Sequence, residues 1–219
     1  MSDLEELADE LNRNYFADAG LPLTTPIPIE DMAEHFLGYS IDITDEGLFS
    51  DPGFLGGIDF EQKLIYVNAS IENHDGRYAF TVAHEIGHHA LHRDAFMQSR
   101  VYEENKILCR ETSDKPQIEV EADRFAAALL MPSDSVQKAL LEVFPKPKIL
   151  TIGQARGLAS KLIKEGPFGN VSNSAMINRL IDLKFVPEFV GYQTGRFRRG
   201  RGRPSISIMV RRALARLGI

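Results

Sequence analysis

The 219-residue chain has a single cysteine, Cys109, so it cannot close an internal disulfide. That excludes the disulfide-stapled secreted scaffolds and fits a reducing compartment. No apolar run reaches membrane-spanning length. The first residues, Met1 to Glu6, are acidic and lack the apolar stretch of a signal peptide. These absences predict a cytoplasmic protein with no membrane role. Acid is missing from residues 190–219, which carry eight arginines. The rest of the chain holds 17 basic and 31 acidic side chains, so the net charge of −6 conceals a basic tail on an acidic body. Such a tail suits an anionic partner, or docks on its own body. The apolar share of 43% is that of an ordinary globular protein.

What is present reads as alternating elements. Ser2 and Glu5 fit a capping box, and Leu4, Leu7, Ala8 and Leu11 follow at helical spacing, predicting a helix that ends near Ala19-Gly20. A proline-marked connector follows, then a short helix from Ile29 to Phe36 stopped by Gly38. Tyr39 to Ile43 alternates like a strand. Phe54 to Phe60 and Lys63 to Val67 read as a hairpin turning near Glu61-Gln62, with Ile65 and Val67 on one face. The edge of this small sheet is suited to adding an extended peptide strand.

Next comes Thr81-Val-Ala-His84-Glu85-Ile-Gly-His88-His89, on a helix predicted from about Gly76 to Leu91. His84 and His88 are four residues apart, so they share a face and can meet one metal ion. Glu85 stands beside the first, where a carboxylate can take a proton from a metal-activated water. Gly87 costs helix propensity, and a small residue there lets another backbone or the metal site approach closely. Arg93 to Lys115 is polar and irregular and reads as a loop or lid. Further helices are predicted over Ile118–Met131, from Ser133 or Asp134 to about Phe144, over Ile152–Ile163, Asn173–Leu183 and Ser207–Leu217.

A catalytic zinc needs three protein ligands and one open position. His89 points about 100° away from His88. His92 lies about 12 Å along the helix axis from His84, so one straight helix cannot converge all three. A His-x-x-Gly-x-x-His extension is excluded by Leu91 and Asp94. The next helix offers Glu119, Ala122, Asp123 and Ala126 on one face. Glu119 is the favoured third ligand, and Asp123 can accept a hydrogen bond from the far nitrogen of a ligand histidine. Glu121, on another side of that helix, is the alternative ligand. Two histidines and a carboxylate suit Zn2+ best.

The pairing of Phe80–His92 with Glu119–Pro132, together with the strand Leu64–Asn68, resembles the ImmA/IrrE metallo-endopeptidases over roughly residues 25–145. The resemblance implies an α+β fold: a mostly helical, zincin-like metallopeptidase core with a small antiparallel sheet, followed by a short helical C-terminal region. It implies His84, His88 and Glu119 as metal ligands, Glu85 as general base and Asp123 as helper. It also implies cleavage of a helix-turn-helix repressor, relieving repression of a mobile element or a stress response. Tyr78, Tyr102 and His74 are candidates to stabilise the oxyanion. The expected organisation is a core over 1–145, a helical, helix-turn-helix-like region over 146–190, and a basic tail over 191–219. In the tail, Arg198, Arg199, Arg201 and Arg203 surround a Gly-Arg-Pro sequence resembling an AT-hook, so contact with a DNA minor groove stands as an alternative to a solvated tail or one docked on acidic groups. The competing reading of the whole is a non-proteolytic antirepressor, or DNA-associated regulator, whose metal is structural.

Overall fold

The computed structural model describes residues 3–97, 107–111, 117–143 and 152–186. Helix α1 (Asp3–Asp18) buries Ala8, Asn12, Tyr15 and Phe16, the spacing of an amphipathic helix. Beyond its last residue the chain turns away at Gly20, where φ is +67°. Helix α2 (Ile29–Asp31) runs on into wider π turns over Met32–Phe36. The chain then reverses at Gly38, whose φ of +72° suits a residue without a Cβ.

Strands β1 (Ser40–Thr44), β2 (Phe54–Asp59) and β3 (Leu64–Asn68) follow. Between β2 and β3, Asp59 Oδ1 accepts from the amides of Glu61 and Gln62, which closes the predicted turn. Ile65 and Val67 are fully buried, as their alternation requires. Helix α3 (Asp75–Leu91) carries the two histidines, and a short α4 (Arg93–Met97) follows it. Strand β4 (Ile107–Glu111) then joins the sheet.

Among the described residues the sheet has four strands in the order β1-β3-β2-β4. The α+β class holds, but two expectations change. The sheet is mixed: β2 is antiparallel to β3 and β4, while β1 runs parallel to β3. Because β4 takes the outer side of β2, β1 pairs beyond β3, and two reversals of the chain leave those strands parallel. The stretch expected as a loop or lid supplies α4 and β4; its residues 98–106 and 112–115 lie outside the described ones.

Helix α5 (Gln117–Leu130) packs on both α3 and α1. Its half from Phe125 to Leu130 is buried all round. Phe125, Leu129 and Leu130 have no exposed surface, and each such burial is worth about 1.5–3 kcal/mol. Asn12 in α1 donates to Leu129 O at 3.0 Å, so the polar group on that helix face is satisfied. Helices α6 (Ser133–Val143), α7 (Ile152–Lys164) and α8 (Asn173–Asp182) complete the described chain.

Ser172 caps α8, its side chain accepting from Ala175 N at 3.1 Å. Buried Arg179 in α8 donates to Met131 O at 2.9 Å and grips the Glu5 carboxylate with both terminal nitrogens. Asn170 donates to Ile27 O at 3.0 Å. These bonds tie residues 165–186 to α1, to the end of α5 and to the connector before α2. The basic tail, and the helix expected at Ser207–Leu217, lie outside the described residues. Among the described residues, no helix is long and apolar enough to cross a membrane.

Candidate metal centre

The helical rise sets His84 and His88 one turn apart on the face of α3 that meets α5. Both are fully buried. Their rings are nearly perpendicular, with centroids 4.7 Å apart and Nε2 atoms 3.0 Å apart. Glu119 reaches in from the first turn of α5. Its Oε2 is 3.2 Å from His84 Nε2, and its Oε1 is 3.2 Å from His88 Nε2.

Gly87 makes this approach possible. A Cβ at that position would lie 3.2 Å from both Cα and O of Ala122 on α5, so the two helices touch backbone to backbone beside the three donors. The expectation of a close approach at Gly87 is met, and the neighbour is the helix that carries Glu119.

The donor set fits a dication. Four-coordinate zinc holds nitrogen and oxygen donors at about 2.0–2.1 Å, which places them roughly 3.3 Å from one another. The three separations here are 3.0, 3.2 and 3.2 Å. Burial pushes His88 down to about 4, so it is neutral near pH 7 with a nitrogen lone pair to give. Burial alone would raise Glu119, but its contacts with His84 and His88 outweigh it and bring it down to about 2. The deprotonated forms are the ones a metal needs.

Asp123 lies one turn beyond Glu119 on the same face of α5. Its Oδ1 is 3.0 Å from His84 Nδ1. When that Nδ1–H donates to the carboxylate, the Nε2 lone pair of His84 faces the other two donors.

Glu85 is completely buried beneath β2. At Gly56 of β2, a Cβ would meet Thr81 Cγ2 at 2.4 Å and Glu85 Oε1 at 2.9 Å. Only glycine lets the strand run this close to the carboxylate. Sequence reading did not single out Gly56; its signal was the Gly56-Gly57 pair inside a strand pattern, which marks a close backbone approach.

The remaining sequence candidates separate clearly. Glu121 does not join the donors. It faces His92, with Oε2 at 3.2 Å from Nε2, and accepts from Gln117 at 2.8 Å. His89 points the other way, its Nδ1 2.9 Å from Tyr39 Oη. Tyr78 is hydrogen-bonded to Glu30, and burial with that partner raises it. His74 is exposed before the first turn of α3, about 15 Å of helix from His84. Neither is therefore placed beside the donors, and Tyr102 lies outside the described residues. Among those residues, His84, His88 and Glu119 are the one cluster whose donor atoms are grouped for a metal, all within 4.8 Å.

The pattern of the IrrE N-terminal-like domain, Peptidase M78, matches residues 24–146. The chain belongs to this family. Comparison with curated proteins gave no match. Among solved structures, a Mycobacterium tuberculosis transcriptional regulator is similar, with 16% identity and a TM-score of 0.49. The likeness covers 80% of this chain and 46% of that one, so the chain spans less than half of the regulator's length. The Peptidase M78 match runs from the connector before α2 to just past α6 and takes in His84, His88 and Glu119.

Proposed function

We propose that the chain is a zinc-dependent endopeptidase that hydrolyses a peptide bond in a protein substrate. The observation that carries this reading is the convergence of His84, His88 and Glu119 with a buried, non-ligating carboxylate, Glu85, next to the first histidine. A structural metal has no need of such a base. Membership of a peptidase family supports the same chemistry.

His84, His88 and Glu119 would hold the zinc, which would supply Lewis acidity to the scissile carbonyl and to a water. Glu85 accepts the proton of the attacking water and returns it to the leaving amine. Its confinement under β2 holds it in one place, and Gly56 sets how closely that roof sits. Asp123 fixes the ring of His84. The resemblance to the ImmA/IrrE peptidases supports a helix-turn-helix repressor as substrate, with its cleavage relieving repression. Zinc, rather than another divalent ion, follows from the two imidazoles and one carboxylate.

The test incubates the full chain with the helix-turn-helix regulator encoded nearest its gene, with zinc or with chelator, and follows the regulator by intact mass. Discrete cleavage is expected only from the wild type with metal, and not from Glu85→Gln. Equal cleavage by Glu85→Gln would remove Glu85 from the mechanism. An intact regulator released from its operator by both proteins would replace proteolysis with binding.

A further inference from the structure

We propose that Gln117, Glu121 and His92 form a positioning arm that fixes the ring of His88, as Asp123 fixes that of His84. The inference rests on the metal-centre reading above and extends it to residues that supply no donor. His92 is the residue at which α3 ends, with φ −120° and ψ −12°. It stands four residues after His88, and its backbone N–H still donates to His88 O at 2.9 Å, so the two rings are neighbours on one face. Its Nδ1 lies 3.0 Å from Nδ1 of His88, and its Nε2 lies 3.2 Å from Glu121 Oε2. The ring is about nine-tenths buried.

The hydrogen-bond inventory orders the arm from its outer end. Gln117 Nε2 donates to Glu121 Oε1 at 2.8 Å, one turn away on α5. A carboxylate only accepts, so the partner of Oε2 must be a donor, and His92 carries its hydrogen on Nε2. A neutral imidazole then accepts at Nδ1. His88 must therefore donate from its own Nδ1, which leaves its Nε2 lone pair facing His84 Nε2 and Glu119 Oε1. The reverse order fails at two places. It would set a lone pair of His92 against the Glu121 carboxylate at 3.2 Å, and would place a hydrogen on His88 Nε2 among the donors. Helix α5 thus serves both histidines. Its Glu119–Asp123 pair faces the metal and His84, and its Gln117–Glu121 pair faces His92.

The experiment measures zinc affinity by chelator competition on the full chain, comparing wild type, His92→Phe, Glu121→Leu and Glu121→Gln. The melting temperature of each metal-free protein and the visible spectrum of each cobalt-loaded protein accompany it. Losing an outer hydrogen-bond partner of a metal-bound histidine weakens metal binding about 10–100-fold. That loss is expected for His92→Phe and Glu121→Leu, with an altered cobalt spectrum and an unchanged metal-free melt. Glu121→Gln keeps an acceptor oxygen for His92 and should recover most of the affinity. Should His92→Phe fail to fold, the Glu121 pair still decides, since that side chain is one-third exposed. Wild-type affinity and spectrum in Glu121→Leu would overturn the arm. A loss in Glu121→Gln as large as in Glu121→Leu would also overturn it, since charge rather than hydrogen-bond order would then be responsible. A wild type that binds no zinc would overturn the metal centre, and the arm with it.

Discussion

Gly87 and Ala122 face each other across α3 and α5 with no side chain between them. A methyl group placed on Gly87 would already lie 3.2 Å from the Ala122 backbone. The spacing of these helices sets how far Glu119 reaches toward His84 and His88. Replacing Gly87 by valine adds branched bulk at this seam, and overpacking of this kind costs about 1–3 kcal/mol. The expected outcome is a lower melting temperature together with weaker zinc binding, measured by thermal unfolding and chelator competition. A Gly87→Val protein that binds zinc as tightly as wild type would show that the donors do not depend on the seam.

Gly56 presents the same constraint on the other side of the helix. Alanine there collides with Thr81 Cγ2, and also approaches Glu85 Oε1 and Tyr66 O, the latter at 3.1 Å. Strand β2 must rise off α3, or Glu85 must move. Gly56→Ala should therefore lower turnover while zinc stays bound. A steady-state assay with parallel metal analysis checks it; unchanged turnover would mean that Glu85 tolerates the shift.

Asp123 and Glu119 sit on one face of α5 but should fail differently. Glu119→Ala removes a donor, and stoichiometric zinc should be lost. Asp123→Asn leaves all three donors but weakens the hold on His84 Nδ1, and metal affinity should fall about 10–100-fold. Chelator competition on both variants separates a ligand from its support. The reverse ranking would exchange their assignments.

Alkaline titration probes a region away from the donors. Burial pushes Tyr39 up to about 12, with nearby Asp59 adding to it and Arg93 opposing, and Tyr15 is pushed up to about 12 by burial and its bond to Asp31. The folded state therefore keeps these protons after the unfolded chain, near 10, has released them. Between about pH 10 and 12 the native form binds more protons, so stability falls as pH rises through that window. Tyr39→Phe should flatten part of that decline, read as melting temperature against pH. A decline of unchanged slope would assign the effect elsewhere.

What was legible in the sequence was what is local or periodic. The spacing of His84 and His88, the shared face of Glu119 and Asp123, and the stops at Gly20 and Gly38 all follow from helix geometry and glycine chemistry. Strand β4 was not legible, because Ile107-Leu-Cys-Arg-Glu111 is a short run within a polar stretch, and its pairing with β2 spans about fifty residues. The parallel pairing of β1 with β3 is likewise a matter of which edge is free, which no strand carries in itself. The roughly 12 Å of helix between His84 and His92 keeps all three histidines from converging on one ion. His92 stands one turn beyond His88, so their rings meet through Nδ1 atoms 3.0 Å apart while His92 stays outside the cluster of His84, His88 and Glu119.

The placement of β4 changes where an extended peptide can dock. Both hydrogen-bonding sides of β2 are occupied, by β3 and by β4. A peptide that adds to this sheet must lie along β4 or β1, or it must displace β4. In chain order β4 stands between α3 and α5, so the strand that closes off β2 comes from the stretch of sequence between His88 and Glu119.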